Sequence, residues 1–307
     1  MSNAAAIRPG RSALPEWVRR LPEYLMIWVP LLLSAAHLIS FSLWTIWISF
    51  TPSTLVPVTG WVGLRNYSAV AASRNWQIAF DNLLLFGISF VVLSAATGLV
   101  LAILLDQRIR GENVLRSIFL YPLAVSFVVT GTVWSWLLNP GLGIQKLVHD
   151  LGWTSFRFDW LIDRDMAIWT IVIAAIWQSS GFAMALFLAG LRSVDGDIVK
   201  AAQIDGAGPV RMYRRIILPS LWPITITVIV IQLQFAISTF DLVRALTNGG
   251  PGIATQLPAL VVYDLMFQRS LLGRGAAAAV LMLLILLAVL LPYAAWRYVQ
   301  RQRAAHA

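Results

Sequence analysis

The sequence predicts an all-α membrane protein with six transmembrane helices and both termini in the cytoplasm. Three observations carry that prediction. Hydrophobic residues make up 59% of the chain and charged residues only 12%, with a mean hydropathy of +0.75; soluble domains carry a charged fraction of about 25%. Six apolar runs lie at 25–50, 83–105, 118–138, 166–191, 221–240 and 275–296, each near the roughly 20 residues that a helix needs to cross the hydrocarbon core. The basic residues between these runs fall mainly on one side.

Taken in order, residues 1–24 form a polar segment carrying Arg8, Arg11, Arg19 and Arg20. The run that follows, Leu25–Phe50, has only His37 to break its neutrality. It is longer than the roughly 7–15 apolar residues of a cleavable leader, so it is predicted as the first span. Residues 25–298 then read as one transmembrane domain, with 299–307 as a short tail. With the N-terminus inside, 15 of the 23 Lys and Arg lie on the inner segments while the acids divide evenly. That asymmetry fixes orientation by the positive-inside rule. The net charge of +9 is therefore a topology signal, and nucleic acid is not an expected partner. The three outer loops, Thr51–Trp76, Asn139–Asp165 and Asp241–Gly273, are too short to hold cores of their own. They are candidates for a docking rim, and their aromatics for an interfacial belt.

The longest inner interruption is 192–219, and its end, Lys200–Pro219, reads KAAQIDGAGPVRMYRRIILP. Gly206 permits the left-handed backbone that ends one short helix. Pro209 suits the first position of a second, which carries Arg211, Arg214 and Arg215 with Ile216, Ile217 and Leu218 on its apolar side. Pro219 disfavours a helical Leu218, so the next span is expected to start there. The segment is predicted as a basic helix–turn–helix exposed on the cytoplasmic face. Two roles are open to it: docking into a groove on a partner, or lying in the lipid headgroups as an amphipathic connector.

Polar groups inside spans are costly unless they face protein or water. Run four contains Trp177, Gln178, Ser179, Ser180 and Gly181; run five contains Gln232, Gln234, Ser238 and Thr239, with Asp241 beyond; run two opens on Asp81-Asn82. Gln234, Ser238 and Asp241 are spaced to share one helical face. Amides and hydroxyls match the donor–acceptor pattern of a sugar, and Trp177 offers a flat apolar face. Trp177, Gln178, Gln232, Gln234, Ser238, Asp241 and Asn82 are the candidate substrate path. The same groups serve equally as hydrogen bonds between helices. No cysteine is present, and His37, His149 and His306 are scattered without ligand partners at helical spacing, so neither catalysis nor a metal is expected.

The spacing Ala201-Ala202, Gly206, Ile216, Leu218 and Pro219 resembles the EAA signature of permease subunits in binding-protein-dependent ABC importers. Val62–Tyr67, Ala189–Leu191, Phe240–Pro251, Ala254-Thr255 and Gly273–Ala279 are similar to further stretches of the carbohydrate-uptake permeases. Lys200 stands where that family has glutamate, a reversal of charge. The resemblance implies a non-catalytic permease of the cell inner membrane, with Lys200, Ala201, Ala202, Asp205, Gly206, Ala207, Arg211, Arg214 and Arg215 coupling it to two cytoplasmic ATPase subunits. ATP and Mg would be used by those subunits; this chain has no phosphate-binding GxxxxGK[ST] loop and is expected to bind no cofactor. A second permease, an external solute-binding protein and a sugar complete the implied partners. The run from Trp177-Gln178 to Ala207 resembles glucose/mannose-type permeases, with other oligosaccharides next. The alternative from another class is an ion-coupled secondary transporter. Such carriers place ionisable groups deep in the membrane, whereas the central thirds of all six runs have none.

Overall fold

The computed structural model describes residues 16–107 and 109–305. Arg8, Arg11, Arg108 and His306, which enter the charge and histidine readings above, lie outside the described residues. Among those described, every regular element is helical. In chain order these are α1 (Glu16–Ser49), α2 (Arg65–Ala71), α3 (Arg74–Asp106), α4 (Glu112–Ala124), α5 (Phe127–Leu137), α6 (Ile144–Asp150), α7 (Ala167–Arg192), α8 (Gly196–Ile204) and α9 (Pro209–Met212). A π-turn at Tyr213–Ile217 leads into α10 (Leu218–Ser220) and α11 (Trp222–Ser238). After α12 (Asp241–Leu246) and α13 (Pro258–Tyr263), a second π-turn at Asp264–Gln268 precedes α14 (Leu272–Ala305).

The chain divides into two compact units, Met1–Trp47 and Ile48–Ala307. The first is the bulk of α1, whose apolar side chains such as Met26, Leu33 and Leu38 are exposed. The second is organised on α7. Its small residues let neighbours approach: a Cβ on Gly98 of α3 would meet Ala183 Cβ at 2.5 Å and Met184 N at 2.8 Å. Around that contact one core gathers Phe86, Phe90, Ile171, Ala175 and Leu242. Another gathers Ala102, Leu105, Met184, Phe187, Leu188, Ile217 and Leu221. Among the described residues, four helices are long and apolar enough to cross a membrane, or six if each of two bent pairs counts as one span.

Those two pairs depart from the expected continuous spans. The third run breaks between α4 and α5 with a bend of 98°. Val125 and Ser126 are both extended, and the Ser126 hydroxyl accepts from Val128 N to start the new helix. Pro122, inside the last turn of α4, has already removed one helical donor. The fifth run bends by 65° between α10 and α11. Leu218 is helical here despite Pro219, a correction to the expected boundary. The preceding π-turn, in which Leu218 N bonds back to Tyr213 O, absorbs the missing proline donor; the break falls at Leu221 instead.

At the end of the second unit where α3 begins, short elements lock together. Asn66 Nδ2 donates to the carbonyls of Ser49 (2.9 Å) and Thr51 (2.8 Å), and Tyr67 Oη pairs with Ser49 Oγ at 2.6 Å. Gly273 N reaches Ser53 O at 2.8 Å. These bonds give Asn66 and Tyr67 a structural reason.

Replacing Gly98 with leucine would force α3 from α7. Overpacking of this kind costs about 1–3 kcal/mol, so Gly98→Leu is expected to lower the detergent-solubilised melting temperature measurably, whereas Gly111→Ala, with open space around it, pays only for its left-handed backbone.

Candidate functional site

The polar interruption after α7 sits at the Asp106 end of α3. Asp195 caps α8 by accepting from Asp197 N at 2.9 Å. The helix then stops in a complete Schellman turn: Gly206 N bonds to Gln203 O (3.0 Å) and Ala207 N to Ala202 O (2.9 Å). Gly206 takes φ +77°, which only glycine adopts without strain. That single turn accounts for the spacing of Ala202, Asp205, Gly206 and Ala207: the two alanines are the positions that meet across it. Ala202 is buried while Ala201 and Asp205 are exposed.

Lys200 Nζ pairs with Asp197 Oδ1 at 2.9 Å on the exposed face of α8, a contact worth no more than about 1 kcal/mol. Past the turn, Arg211 lies on α9 and Arg214 and Arg215 on the π-turn, all exposed. Leu218 is exposed as well, so of the three expected apolar anchors it is Ile217 that enters the core, beside Leu221 and Leu188. Gln107 Nε2 donates to Tyr213 Oη at 3.2 Å. Arg192, at the end of α7, bonds to Glu112 Oε1 at 2.5 Å and lies 3.9 Å from Asp106 Oδ1, which ties α3, α4 and α7 together beneath the segment. The composition-based reading missed two residues, Ile204 and Val210. They flank the Gly206 turn and are 86% and 81% exposed, an apolar tip between charged neighbours. Their hydrophobicity in a polar stretch was the available signal.

The seven candidate path residues separate into two groups. Gln178 is buried in α7, and its Nε2 donates to Val125 O, the carbonyl freed at the α4–α5 break, at 2.8 Å. Gln232 is fully buried and donates to Ser94 Oγ at 2.6 Å. Asn82 Nδ2 holds the carbonyls of Ala254 (2.9 Å) and Gln256 (3.0 Å). These three brace helices and a loop. The Oε1 atoms of Gln178 and Gln232 are buried without a partner.

Trp177, Gln234, Ser238 and Asp241 are exposed. Trp177 meets Trp134 of α5 edge-on at 6.0 Å, a pairing that separation in the sequence conceals. Asp241 does not continue the face of Gln234 and Ser238, because α11 ends at Ser238, Thr239 is extended, and Asp241 begins α12. It rejoins Ser238 across a small cleft that Phe127 and Phe235 also line. His149 Nε2 is 2.6 Å from Phe156 O, a bond within its own loop.

Residues 94–304 match the family of binding-protein-dependent transport system inner membrane components. A probable ABC transporter permease of Pyrococcus horikoshii is 37% identical over 92% of this chain and 98% of its own length. The chain belongs to this permease family. It is a multi-pass membrane protein, and membership disfavours the ion-coupled alternative. The permease is also 33% identical to the trehalose/maltose transport permease of Thermococcus litoralis, over 88% of this chain and 91% of that one. The sn-glycerol-3-phosphate transport permease of Rhizobium meliloti is 31% identical over 75% of this chain and 78% of its own. Among solved structures, a bacterial alginate ABC transporter in complex with an alginate pentasaccharide-bound periplasmic protein has a chain that superposes with a TM-score of 0.74. That match covers 90% of this chain and 94% of that one at 20% identity, which establishes a shared fold.

Removing the Gln178 amide leaves the Val125 carbonyl unpaired inside the bundle, at about 1–3 kcal/mol. Gln178→Ala is expected to lower thermal stability of the purified permease equally with and without sugar, whereas Gln234→Ala, on an exposed position, leaves stability unchanged; differential scanning fluorimetry checks both.

Proposed function

We infer that this permease lines the path of an ATP-driven sugar importer and is driven at Lys200–Pro219 by cytoplasmic ATPase subunits. It works beside a second permease, and an external solute-binding protein delivers the sugar. The observation that carries the coupling assignment is the rigid tip. A Schellman turn presents Ile204 and Val210 outward with Arg211 and Arg214 alongside, and a surface cleft runs from Gly206 to Arg215. An apolar knob with a basic rim suits a groove in a protein partner. The charge reversal at Lys200 is accommodated by its pair with Asp197, so Lys200 contributes to the shape of α8 and the family's acidic contact is absent.

Behind the tip, Ile217 and Leu221 pack against α3 and α7. A push on the tip is therefore felt in the core, and the 65° bend at Leu221 is the compliant point between them. Nucleotide state moves the bundle between inward-open and outward-open forms to the extent that the ATPases bind those forms unequally. The orientation, termini and tip inside, rests on the basic-residue asymmetry.

For the substrate, the exposed set Trp177, Gln234 and Ser238 offers a flat ring face, an amide and a hydroxyl with no cation among them, which suits a neutral sugar. Glucose, or an oligosaccharide, fits this set. The buried amides Gln178 and Gln232 hold unpaired acceptors that a hydroxyl would satisfy if the spans part. The sugar permease among the relatives supports the class; the glycerol-phosphate permease names the competitor to test.

Burying each tip side chain in a groove is worth about 1.5–3 kcal/mol, or roughly tenfold or more in affinity. The double variant Ile204→Asp, Val210→Asp is expected to insert normally in the membrane yet lose its ATPases on co-purification. Retention of stoichiometric ATPase by that variant would refute the coupling assignment. Uptake of labelled glucose, maltose and glycerol 3-phosphate by the intact importer reads the substrate class directly.

A further inference from the structure

Where the N-termini of α3 and α14 meet, beside the second π-turn, the structure holds a cavity of about 200 Å³. Its walls carry three guanidinium groups, Arg74, Arg269 and Arg274, against one carboxylate, Asp264. That carboxylate is held against the wall by a cavity neighbour: Asp264 Oδ2 accepts from Gln256 Nε2 at 3.0 Å. Among the described residues no ion pair engages any of the three arginines. Two long helices add their positive ends to the same place, so positive charge outweighs the single carboxylate of Asp264.

The cavity is also rigid. Ser73 caps α3 through Trp76 N, Asn82 grips the Gln256 backbone, and Gln256 is 3% exposed with its Oε1 unpartnered at the cavity wall. The scaffold is fixed while Arg74, Arg269 and Arg274 are exposed at its rim, and a guanidinium takes a carboxylate bidentately, the strongest geometry for that pair. Asp81, exposed on α3, is the charged residue next to the apolar run. Arg74 stands seven residues nearer the helix start, about 10 Å further from the apolar run. The cavity therefore opens to solvent, clear of the exposed polar set on α7 and α11.

We propose that this arginine cavity is the socket for an acidic side chain of the external solute-binding protein, docking it on the side of the bundle opposite the ATPase tip. The assignment rests on the outward orientation of the Arg74 end given under the proposed function. Charge complementarity favours an anion over a neutral sugar as occupant. A lipid phosphate is disfavoured by the height of Arg74 above the apolar run. An Asp or Glu on a rigid protein surface supplies the carboxylate and the salt-dependent approach that such a field steers.

The test uses the complete importer in proteoliposomes, with ATP hydrolysis measured against concentration of the sugar-loaded solute-binding protein. Arg74→Glu and Arg269→Glu are expected to raise its half-saturating concentration about tenfold or more, Arg→Lys variants less. Binding-protein-free hydrolysis and ATPase co-purification stay at the wild-type level, which shows that the variants fold. Wild-type half-saturation rises with ionic strength, and an acid-to-arginine change on the binding protein restores the Arg74→Glu variant. Half-saturation within about twofold of wild type in folded variants, or a salt-independent wild type, overturns the socket. Variant effects that appear only in phosphatidylglycerol vesicles and vanish in phosphatidylcholine overturn it in favour of a lipid. An unstimulated, ATPase-free wild type is a different result, and it counts against the importer reading itself. Should the charge reversals fail to assemble, Arg74→Gln with Arg274→Gln and the salt titration decide the same question.

Discussion

The hydrogen bond from Gln178 to the Val125 carbonyl lets one helical span turn a corner inside the protein. No water reaches the hydrocarbon core to satisfy a broken helix, so each interruption must find its partner within the bundle. Gln178 supplies that partner from α7 at 2.8 Å, and Gly181, about one turn further on, lies against the Phe119 backbone of α4. Because α4 is held there, α5 is free to leave at 98° and pack its Gly131 against Leu242 and Ala245 of α12. The opposite side of α7 carries Ala183 against Gly98 of α3. One helix thus serves as the post for α3, α4, α5, α11 and α12, and its composition of Ala, Gly and Ser follows from that crowding.

From this post the second unit, Ile48–Ala307, has two ends of different character. At one end the Asp106–Arg192–Glu112 cluster and the Schellman turn make a stiff, basic projection with an apolar point. At the other, Asn66, Asn82 and Gln256 stitch short elements into a rigid rim beside three exposed arginines. Both ends carry a π-turn, at Tyr213–Ile217 and Asp264–Gln268, a geometry found often where helices serve function. A partner gripping either end acts on helices that share the α7 core, which is the physical requirement for coupling two remote sites.

Much of this was legible in the sequence, for identifiable reasons. Gly206 and Pro209 punctuate the backbone locally, so the turn between α8 and α9 could be read from adjacent residues. The apolar runs and the basic asymmetry needed no tertiary knowledge. The corner at Val125 was hidden because Pro122 and Ser126 are tolerated inside spans, and only Gln178, far along the chain, reveals that the corner is stabilised. Leu218 was misread because the π-turn that tolerates Pro219 has no composition of its own. Asn82, Gln178 and Gln232 are polar for a structural reason that a helical wheel does not distinguish from a binding one. The arginine cavity was illegible for the plainest reason: Arg74 and Arg269 are neighbours only in the fold.

The central claim is that the exposed tip around Gly206 sits in a groove of the ATPase subunits. The chain contains no cysteine, so Ile204→Cys or Val210→Cys creates a unique thiol at the tip without background. Membranes holding the full importer, with single cysteines scanned along the ATPase surface, would be treated with a short bifunctional cross-linker with and without ATP. The account predicts cross-links from positions 204 and 210 to one continuous ATPase groove, with yields that change with nucleotide. Cross-linking to no ATPase position, together with labelling of both thiols by a lipid-phase reagent, would contradict it and return the segment to the membrane surface.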